Sequence, residues 1–139
     1  MKIRLWQHGD VYKCRNIVSH FSESIPTQEI FSELITNNQL FIAEKDQDII
    51  GFISYKTLWN ESIFLQFLRV HPDFHRKWIG SQLIEHIEKI AKKKWAYEVF
   101  STVLADNEPS EKLHEKLWYH EAGRIDFDSG KELVYLKVI

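Results

Sequence analysis

A nearly continuous run of apolar residues, followed by a helix and a second apolar strand, constrains the fold of this chain most. Ser62–Val70 is rich in β-branched and aromatic residues, as in a central strand buried on both faces. Apolar residues then recur at helical spacing over 79–94, and Tyr97–Leu104 has the pattern of a strand. Strands joined through one helix run parallel, with a right-handed crossover. The sequence therefore predicts a parallel strand–helix–strand unit.

Shorter patterns on either side of this unit predict the remaining elements. Strands are predicted over 3–6, 39–44, 49–58, 122–127 and 132–138, and helices over 10–20, 27–37 and from Pro109 onward. Short polar turns join several of these strands, which is typical of antiparallel hairpins. The sequence thus predicts an α+β fold, with a mixed, mostly antiparallel sheet flanked by about four helices.

Composition narrows the class of protein. The 139 residues, 44% of them apolar, fit a single domain over 1–139. A net charge of −2 makes nucleic acid an unexpected partner. The chain has no apolar run of ~18 residues and no signal-like N-terminus, so no membrane association and a cytoplasmic location are expected. A single cysteine, Cys14, excludes a disulfide framework, and the spacing of the seven histidines predicts no metal site.

The segment Leu68–Ser81 carries the clearest chemistry. A strand enters a short basic loop, and the loop opens directly into a helix whose first backbone N–H groups lack intrahelical partners. Those groups lie at the positive end of the helix dipole, close to Arg76, Lys77 and Gly80. Such an arrangement suits a phosphate or pyrophosphate. The alternative is a solvated basic loop at an ordinary helix start.

Two motifs resemble the GNAT superfamily, the acyl-CoA-dependent N-acetyltransferases. The pyrophosphate loop of that family, Gln/Arg-x-x-Gly-x-Gly/Ala after a strand, corresponds to VHPDFHRKWIGS at Val70–Ser81. The family's second signature, an asparagine and then a helix ending L-Y-E-K-L-G-F, corresponds to Asn107 and to LHEKLWY at Leu113–Tyr119. The predicted order of elements also matches this fold along nearly the whole chain.

The resemblance implies direct transfer of an acetyl group from acetyl-CoA to a primary amine. It places the pantetheine arm between strands 62–70 and 97–104, with a backbone N–H near Leu68 or Val70 polarising the thioester carbonyl. Asn107 would position the cofactor near its pantetheine end. The cofactor-binding residues expected on this basis are Leu68, Arg69, Val70, His75, Arg76, Lys77, Trp78, Ile79, Gly80, Ser81 and Asn107.

Candidates for proton transfer are fewer. His114 stands where the family has a tyrosine that protonates the departing thiolate, and a protonated histidine can do the same. The alternative is a surface histidine. No general base is evident, because Phe64 stands where several family members carry glutamate. Glu61 and Gln66 are the candidates for ordering a water, and attack by the small neutral fraction of the amine needs no base from the protein.

Tryptophan replaces glycine repeatedly. Trp78 stands at the first glycine of the loop motif, Trp118 at the glycine after the second helix, and Trp95 where a helix end favours glycine. These positions account for a glycine count of only 5 in 139 residues, about half of the usual ~7%. A left-handed backbone at Trp95 or Trp118 costs roughly 1 kcal/mol or more. The alternative is that these helix ends are built differently.

Three functions are compatible with these observations. The first is an active N-acetyltransferase on a small-molecule, peptide or protein amine. The second is a degenerate, non-catalytic CoA-binding or protein-interaction module, since the motifs are altered at His75, Trp78 and His114. The third, an RNA-associated member, gains little support from Lys92–Lys94 because a solvated helix end explains these lysines.

The sequence says less about the acceptor and about oligomeric state. The predicted acceptor loops, about 22–28 and 58–62, are expected to present Glu23, Glu29 and Glu61, which favours a cationic amine. The apolar C-terminal strand, Leu133–Ile139, is expected to be an exposed edge that pairs with a second copy in a homodimer.

Overall fold

The structure, a computed structural model, describes residues 1–10, 28–59, 61–75 and 78–139. Its strands are β1 (Lys2–Leu5), β2 (Leu40–Lys45), β3 (Asp48–Leu58), β4 (Ser62–Val70), β5 (Glu98–Leu104), β6 (His120–Phe127) and β7 (Gly130–Val138). Its helices are α1 (Gln28–Thr36), α2 (Ile79–Lys93) and α3 (Glu108–Lys116), with a 3-10 turn at Pro72–Phe74. The helix predicted over 10–20 lies, beyond Asp10, outside the described residues.

The strands follow the order β1-β2-β3-β4-β5-β7-β6 in a seven-stranded sheet. Strands β4 and β5 pair in parallel, as the crossover through α2 requires. The β1–β2, β2–β3, β5–β7 and β6–β7 pairs are antiparallel. The predicted α+β class, with a mixed and mostly antiparallel sheet, is therefore confirmed.

The described part of the chain forms two compact units, and the first comprises 1–55 and 67–86. Its core contains buried residues of α1, β2 and β3, including Leu34, Ile42 and Phe52, with Trp6 packed against them. The start of α2 supplies Ile79, Leu83 and Ile84 to the buried set. The helical spacing of these residues in the sequence thus marked a real buried face.

The second unit comprises 56–66 and 87–139. Its buried apolar side chains include Ile63 of β4, Ile87 of α2, Val99 of β5 and Leu133 of β7. Strand β5 alternates buried and less buried residues, which is the two-residue period of a strand. The hairpin of β6 and β7 turns at 128–129, where the sequence predicted it.

Two details of the sequence interpretation are wrong. Strand β7 is not an edge, because β5 pairs along one side of it and β6 along the other. In the hairpin, β6 pairs beside the apolar C-terminal strand. Strand β6 is therefore the edge of the sheet, and all of its residues are exposed. Deep burial of β4 is confined to Ser62, Ile63 and Leu65, and the residues from Gln66 to Val70 are only half-buried.

Candidate functional site

The predicted strand–loop–helix segment forms. Strand β4 ends at Val70, the 3-10 turn follows, and α2 begins at Ile79. The backbone N–H of His71 donates to the carbonyl of Ile50 at 2.8 Å, which ties the start of the loop to β3. The carbonyl of Trp78 accepts from the N–H of Gln82 at 3.1 Å, so residue 78 is the last before the helix. The N–H groups of Ile79–Ser81 belong to the first turn and have no intrahelical acceptor.

Ser81 is the most informative side chain in this first turn. It is only 6% exposed, and among the described residues its Oγ has no hydrogen-bond partner. A buried hydroxyl without a partner costs about 1–3 kcal/mol. The first turn of α2 therefore contains a buried hydroxyl whose hydrogen-bonding capacity is unused among the described residues, beside backbone N–H groups of the kind that bind anions.

His75, at the Gln/Arg position of the motif, turns back onto β4. Its Nε2 lies 2.9 Å from the carbonyl oxygen of Val70. A carbonyl oxygen only accepts, so this ring nitrogen carries the hydrogen and donates it. His75 therefore fixes the loop against the end of β4. Arg76 and Lys77, the two cationic candidates, lie outside the described residues.

The second half of β4 carries three more of the predicted residues. The Arg69 guanidinium donates to the carbonyl of Leu68 at 2.8 Å, and burial lowers the pKa of Arg69. The carbonyls of Leu68 and Val70 thus each accept from a nearby side chain, and each retains a second lone pair. The parallel β4–β5 ladder runs from Ser62↔Glu98 to Leu65↔Ser101, within the first half of β4.

Gly51 allows β3 to approach β4 closely. A Cβ atom at Gly51 would lie 3.0 Å from the carbonyl oxygen of Arg69 and 3.4 Å from Cδ1 of Leu83. A contact of 3.0 Å with a backbone oxygen is tighter than nine in ten of the contacts that real Cβ atoms make. The absence of a side chain at residue 51 therefore helps to set the position of the β4 backbone near Leu68 and Val70. The role of Gly51 was not evident from the sequence.

Gln66 and Glu61, the two candidates for ordering a water, differ in environment. The Oε1 atom of Gln66 is buried and has no hydrogen-bond partner among the described residues. Glu61 is exposed in the turn before β4, and its backbone carbonyl accepts from the N–H of Tyr97 at 2.7 Å. Gln66 therefore has the unsatisfied polar atom that a substrate group or a water would complete.

His114 is buried, at 3% exposure, which excludes the surface alternative. Its Nδ1 lies 2.7 Å from the carbonyl oxygen of Ser110 and so carries a hydrogen. Burial lowers the pKa of His114, although the bond to Ser110 partly opposes this effect. The neutral ring therefore presents a bare Nε2, and among the described residues that atom has no partner. In this form His114 accepts a hydrogen bond rather than donating a proton.

Asn107 has a clear local role. It is exposed, and its Oδ1 accepts from the backbone N–H of Ser110 at 3.4 Å, so it caps the N-terminus of α3. The oxygen is used by the helix, and the side-chain amide N–H₂ is the group left for a ligand.

A buried polar cluster near α3 was missed by the sequence analysis. The hydroxyl of Tyr119 donates to Oε2 of Glu88 at 2.8 Å, and Nζ of Lys137 donates to Oε1 at 3.2 Å. Burial, with Glu88 adding to it, raises the pKa of Tyr119. The signal was present in the sequence, since Glu88 interrupts the apolar face that runs from Ile84 to Ala91. Its partners are 31 and 49 residues away and were not predictable from that interruption.

No group of three or more His, Cys, Asp or Glu side chains in the described ranges is arranged to hold a metal ion. None of the helices described is both long and apolar enough to cross a membrane.

Comparison with known proteins identifies the class of protein to which this chain belongs. The model of the acetyltransferase (GNAT) family matches residues 8–118. The chain is 31% identical over 98 residues to the spermidine N(1)-acetyltransferase of Thermoplasma acidophilum, a match that covers 67% of this chain and 60% of that protein. The chain therefore belongs to the GNAT acetyltransferase family.

Solved structures share the fold. Ard1 from Thermoplasma volcanium superposes with a TM-score of 0.90 at 16% identity, over 99% of this chain and 97% of that one. The PaiA N-acetyltransferase of Thermoplasma acidophilum, solved in complex with coenzyme A, gives a TM-score of 0.77 at 22% identity, over 99% and 98% of the two chains. At these identities the likeness establishes the fold of the chain.

Proposed function

We propose that this protein transfers the acetyl group of acetyl-CoA to a primary amine. The observation that carries the proposal is the first turn of α2, where backbone N–H groups without an intrahelical acceptor accompany the buried hydroxyl of Ser81, which has no partner among the described residues. Membership of the GNAT family supports acetyl-CoA as the cosubstrate. Arg76, Lys77, Ile79, Gly80 and Ser81 are the residues proposed to hold the pyrophosphate.

The thioester is proposed to lie along the second half of β4. A backbone N–H near Leu68 or Val70 donates to the thioester carbonyl and stabilises the oxyanion as the amine adds to the carbonyl carbon. The carbon–nitrogen bond forms in this addition; collapse of the adduct then re-forms the carbonyl and breaks the carbon–sulfur bond, with coenzyme A leaving as a thiolate. The adding nitrogen loses one proton and the thiolate gains one, so the protons balance overall.

The route of those protons follows from the environments of the candidates. Gln66 is proposed to hold the water or the amine N–H through its unsatisfied Oε1. His114 is an acid only as an imidazolium, a form that its burial opposes. Solvent is therefore proposed as the main proton source for the thiolate. If His114 is the acid, His114→Phe lowers turnover with little change in CoA affinity, whereas unchanged turnover assigns that proton to solvent.

A cationic amine is the proposed acceptor. The relative from Thermoplasma acidophilum is named for spermidine, a polyamine. In this chain Glu61 is exposed in the turn before β4, as the sequence interpretation of an acidic acceptor loop requires. A panel of polyamines, amino sugars and N-terminal peptides, assayed for release of free coenzyme A, is expected to rank polyamines first.

Calorimetric titration with CoA tests the cofactor site directly. Ser81→Ala removes a hydroxyl with no partner among the described residues, so its thermal stability is expected to match or exceed that of the unmodified protein. A hydrogen bond to a charged phosphate is worth about 1.5–3 kcal/mol, so the variant is expected to bind CoA at least tenfold more weakly.

The control is Ser129→Ala, at an exposed position of the β6–β7 turn, which is expected to leave CoA affinity unchanged. Equal affinity of Ser81→Ala and the unmodified protein contradicts the proposed pyrophosphate site. Binding of CoA without turnover on any amine of the panel supports the degenerate, non-catalytic alternative.

A further inference from the structure

Four of the five tryptophans have a backbone conformation that favours glycine. The φ angle is 52° at Trp59, 67° at Trp78, 60° at Trp95 and 71° at Trp118. Only a few per cent of non-glycine residues adopt positive φ, and for bulky side chains it is a genuine outlier. No described phenylalanine or tyrosine adopts it. The fifth tryptophan, Trp6, has an ordinary φ and packs against the core.

Two of these tryptophans stand where helix termination requires a left-handed residue. After α2, the N–H of Ala96 donates to the carbonyl of Ala91 at 2.9 Å, and that of Trp95 donates to Lys92 at 3.2 Å. This pair of bonds is the Schellman motif, which is most often closed by glycine. The hydrogen bonds of the motif, rather than the indole, therefore fix the conformation at residue 95.

The same bonds recur after α3. The N–H of Tyr119 donates to the carbonyl of His114 at 2.9 Å, and that of Trp118 donates to Glu115 at 3.1 Å. Helix α1 also ends in this motif, with Asn38 at φ 55° in the equivalent position. Asparagine is the usual substitute for glycine there, whereas tryptophan is not.

The indoles gain little packing in return for this conformation. Their residues are exposed by 79% (Trp59), 60% (Trp78), 91% (Trp95) and 82% (Trp118). Trp59 stacks on Phe100, at 5.9 Å between ring centroids. A left-handed conformation costs an L-residue with a Cβ roughly 1–2 kcal/mol, and glycine nothing. Burial therefore does not explain tryptophan at these four positions.

We propose that residues 59, 78, 95 and 118 are glycine in the protein as its own cells make it. The codon UGA is read as tryptophan in some genetic codes and as glycine in others. A gene that uses UGA for glycine gives tryptophan at those positions when it is translated with a code that reads UGA as tryptophan. Four more glycines also bring the count of 5 in 139 residues close to the usual ~7%. Position 78 directly precedes Ile79–Ser81, so its identity bears on the proposed pyrophosphate loop.

Stability measurements test the geometric half of the proposal. Trp95→Gly and Trp118→Gly are each expected to raise the folding equilibrium constant about fivefold, since relief of the left-handed conformation exceeds the added entropy of the unfolded chain. The control, Trp6→Gly, removes an apolar contact with the core at an ordinary φ and is expected to lower that constant. Loss of stability in Trp95→Gly and Trp118→Gly to the same degree as in Trp6→Gly overturns the argument.

Identification of the residues in the native protein tests the other half. Peptides from the protein isolated from the cells that carry its gene are sequenced by tandem mass spectrometry, and the codons at the four positions are read from the gene. We expect the peptide masses to show glycine at positions 59, 78, 95 and 118, and the gene to have UGA at each of these codons. Tryptophan masses at these positions overturn the proposal. Neither readout depends on CoA binding, so it stands or falls apart from the proposed activity.

Discussion

A methyl group added at Gly51 is expected to destabilise the protein. The Cβ atom of Gly51→Ala meets the backbone carbonyl oxygen of Arg69 at 3.0 Å, and ordinary contact begins near 3.4 Å. Either β3 or β4 must therefore shift by a few tenths of an ångström. Overpacking of this kind costs about 1–3 kcal/mol. For a chain of this size the melting temperature is expected to fall by roughly 4–12 °C.

Urea denaturation followed by circular dichroism measures this free energy of unfolding. The matched control is Gly123→Ala in β6, which also adds one methyl group to a strand but meets nothing within 4 Å. Its stability is expected to remain within about 0.5 kcal/mol of the unmodified protein. A shift of the Arg69 backbone reaches Leu68 and Val70, so Gly51→Ala is also expected to bind CoA more weakly. Equal stability of the two variants refutes the close-approach argument.

Three further predictions follow from the second compact unit. Burial lowers the pKa of His114, so below pH ~6.5 the unfolded chain binds more protons than the folded one, and the free energy of unfolding falls as the pH drops. His114→Gln is expected to reduce this fall between pH 7 and 5, as measured by urea denaturation. The exposed control His120→Gln is expected to show the same fall as the unmodified protein. Glu88→Gln weakens two hydrogen bonds of a buried carboxylate and is expected to cost about 1–3 kcal/mol in the same assay, against no measurable change for the exposed Glu85→Gln. Asn107→Ala removes the helix cap and is expected to lower the free energy of unfolding by about 1 kcal/mol, whereas Asn107→Asp keeps the cap. If Asn107→Asp binds CoA more weakly, the side-chain amide contacts the cofactor; unchanged binding contradicts that role.

Local patterns predicted the elements that hold the candidate site. The strand predicted over Ser62–Val70 has those bounds in the structure, and the helix predicted over 79–94 is observed over Ile79–Lys93. The strand was predicted from its nearly continuous apolar run and the helix from its period of 3.6 residues, and a single sequence displays both patterns directly. The left-handed backbone considered at Trp95 and Trp118 is confirmed for the same reason, since a helix end is defined by its neighbours in sequence. That the chain is a single domain, that it forms a homodimer and that it is located in the cytoplasm remain predictions.

Environment and long-range pairing were decided by the tertiary structure. The sequence placed His114 correctly on its helix, but its burial depends on Tyr119 and Tyr135, whose rings lie 5.4 and 5.3 Å from it. The interior position of β7 likewise depends on which strand folds back beside it, and the close approach at Gly51 depends on the path of β4. A chain's own periodicity determines which face of an element is apolar. What covers that face, and hence the protonation state of a group beneath it, is determined by residues far away in the sequence.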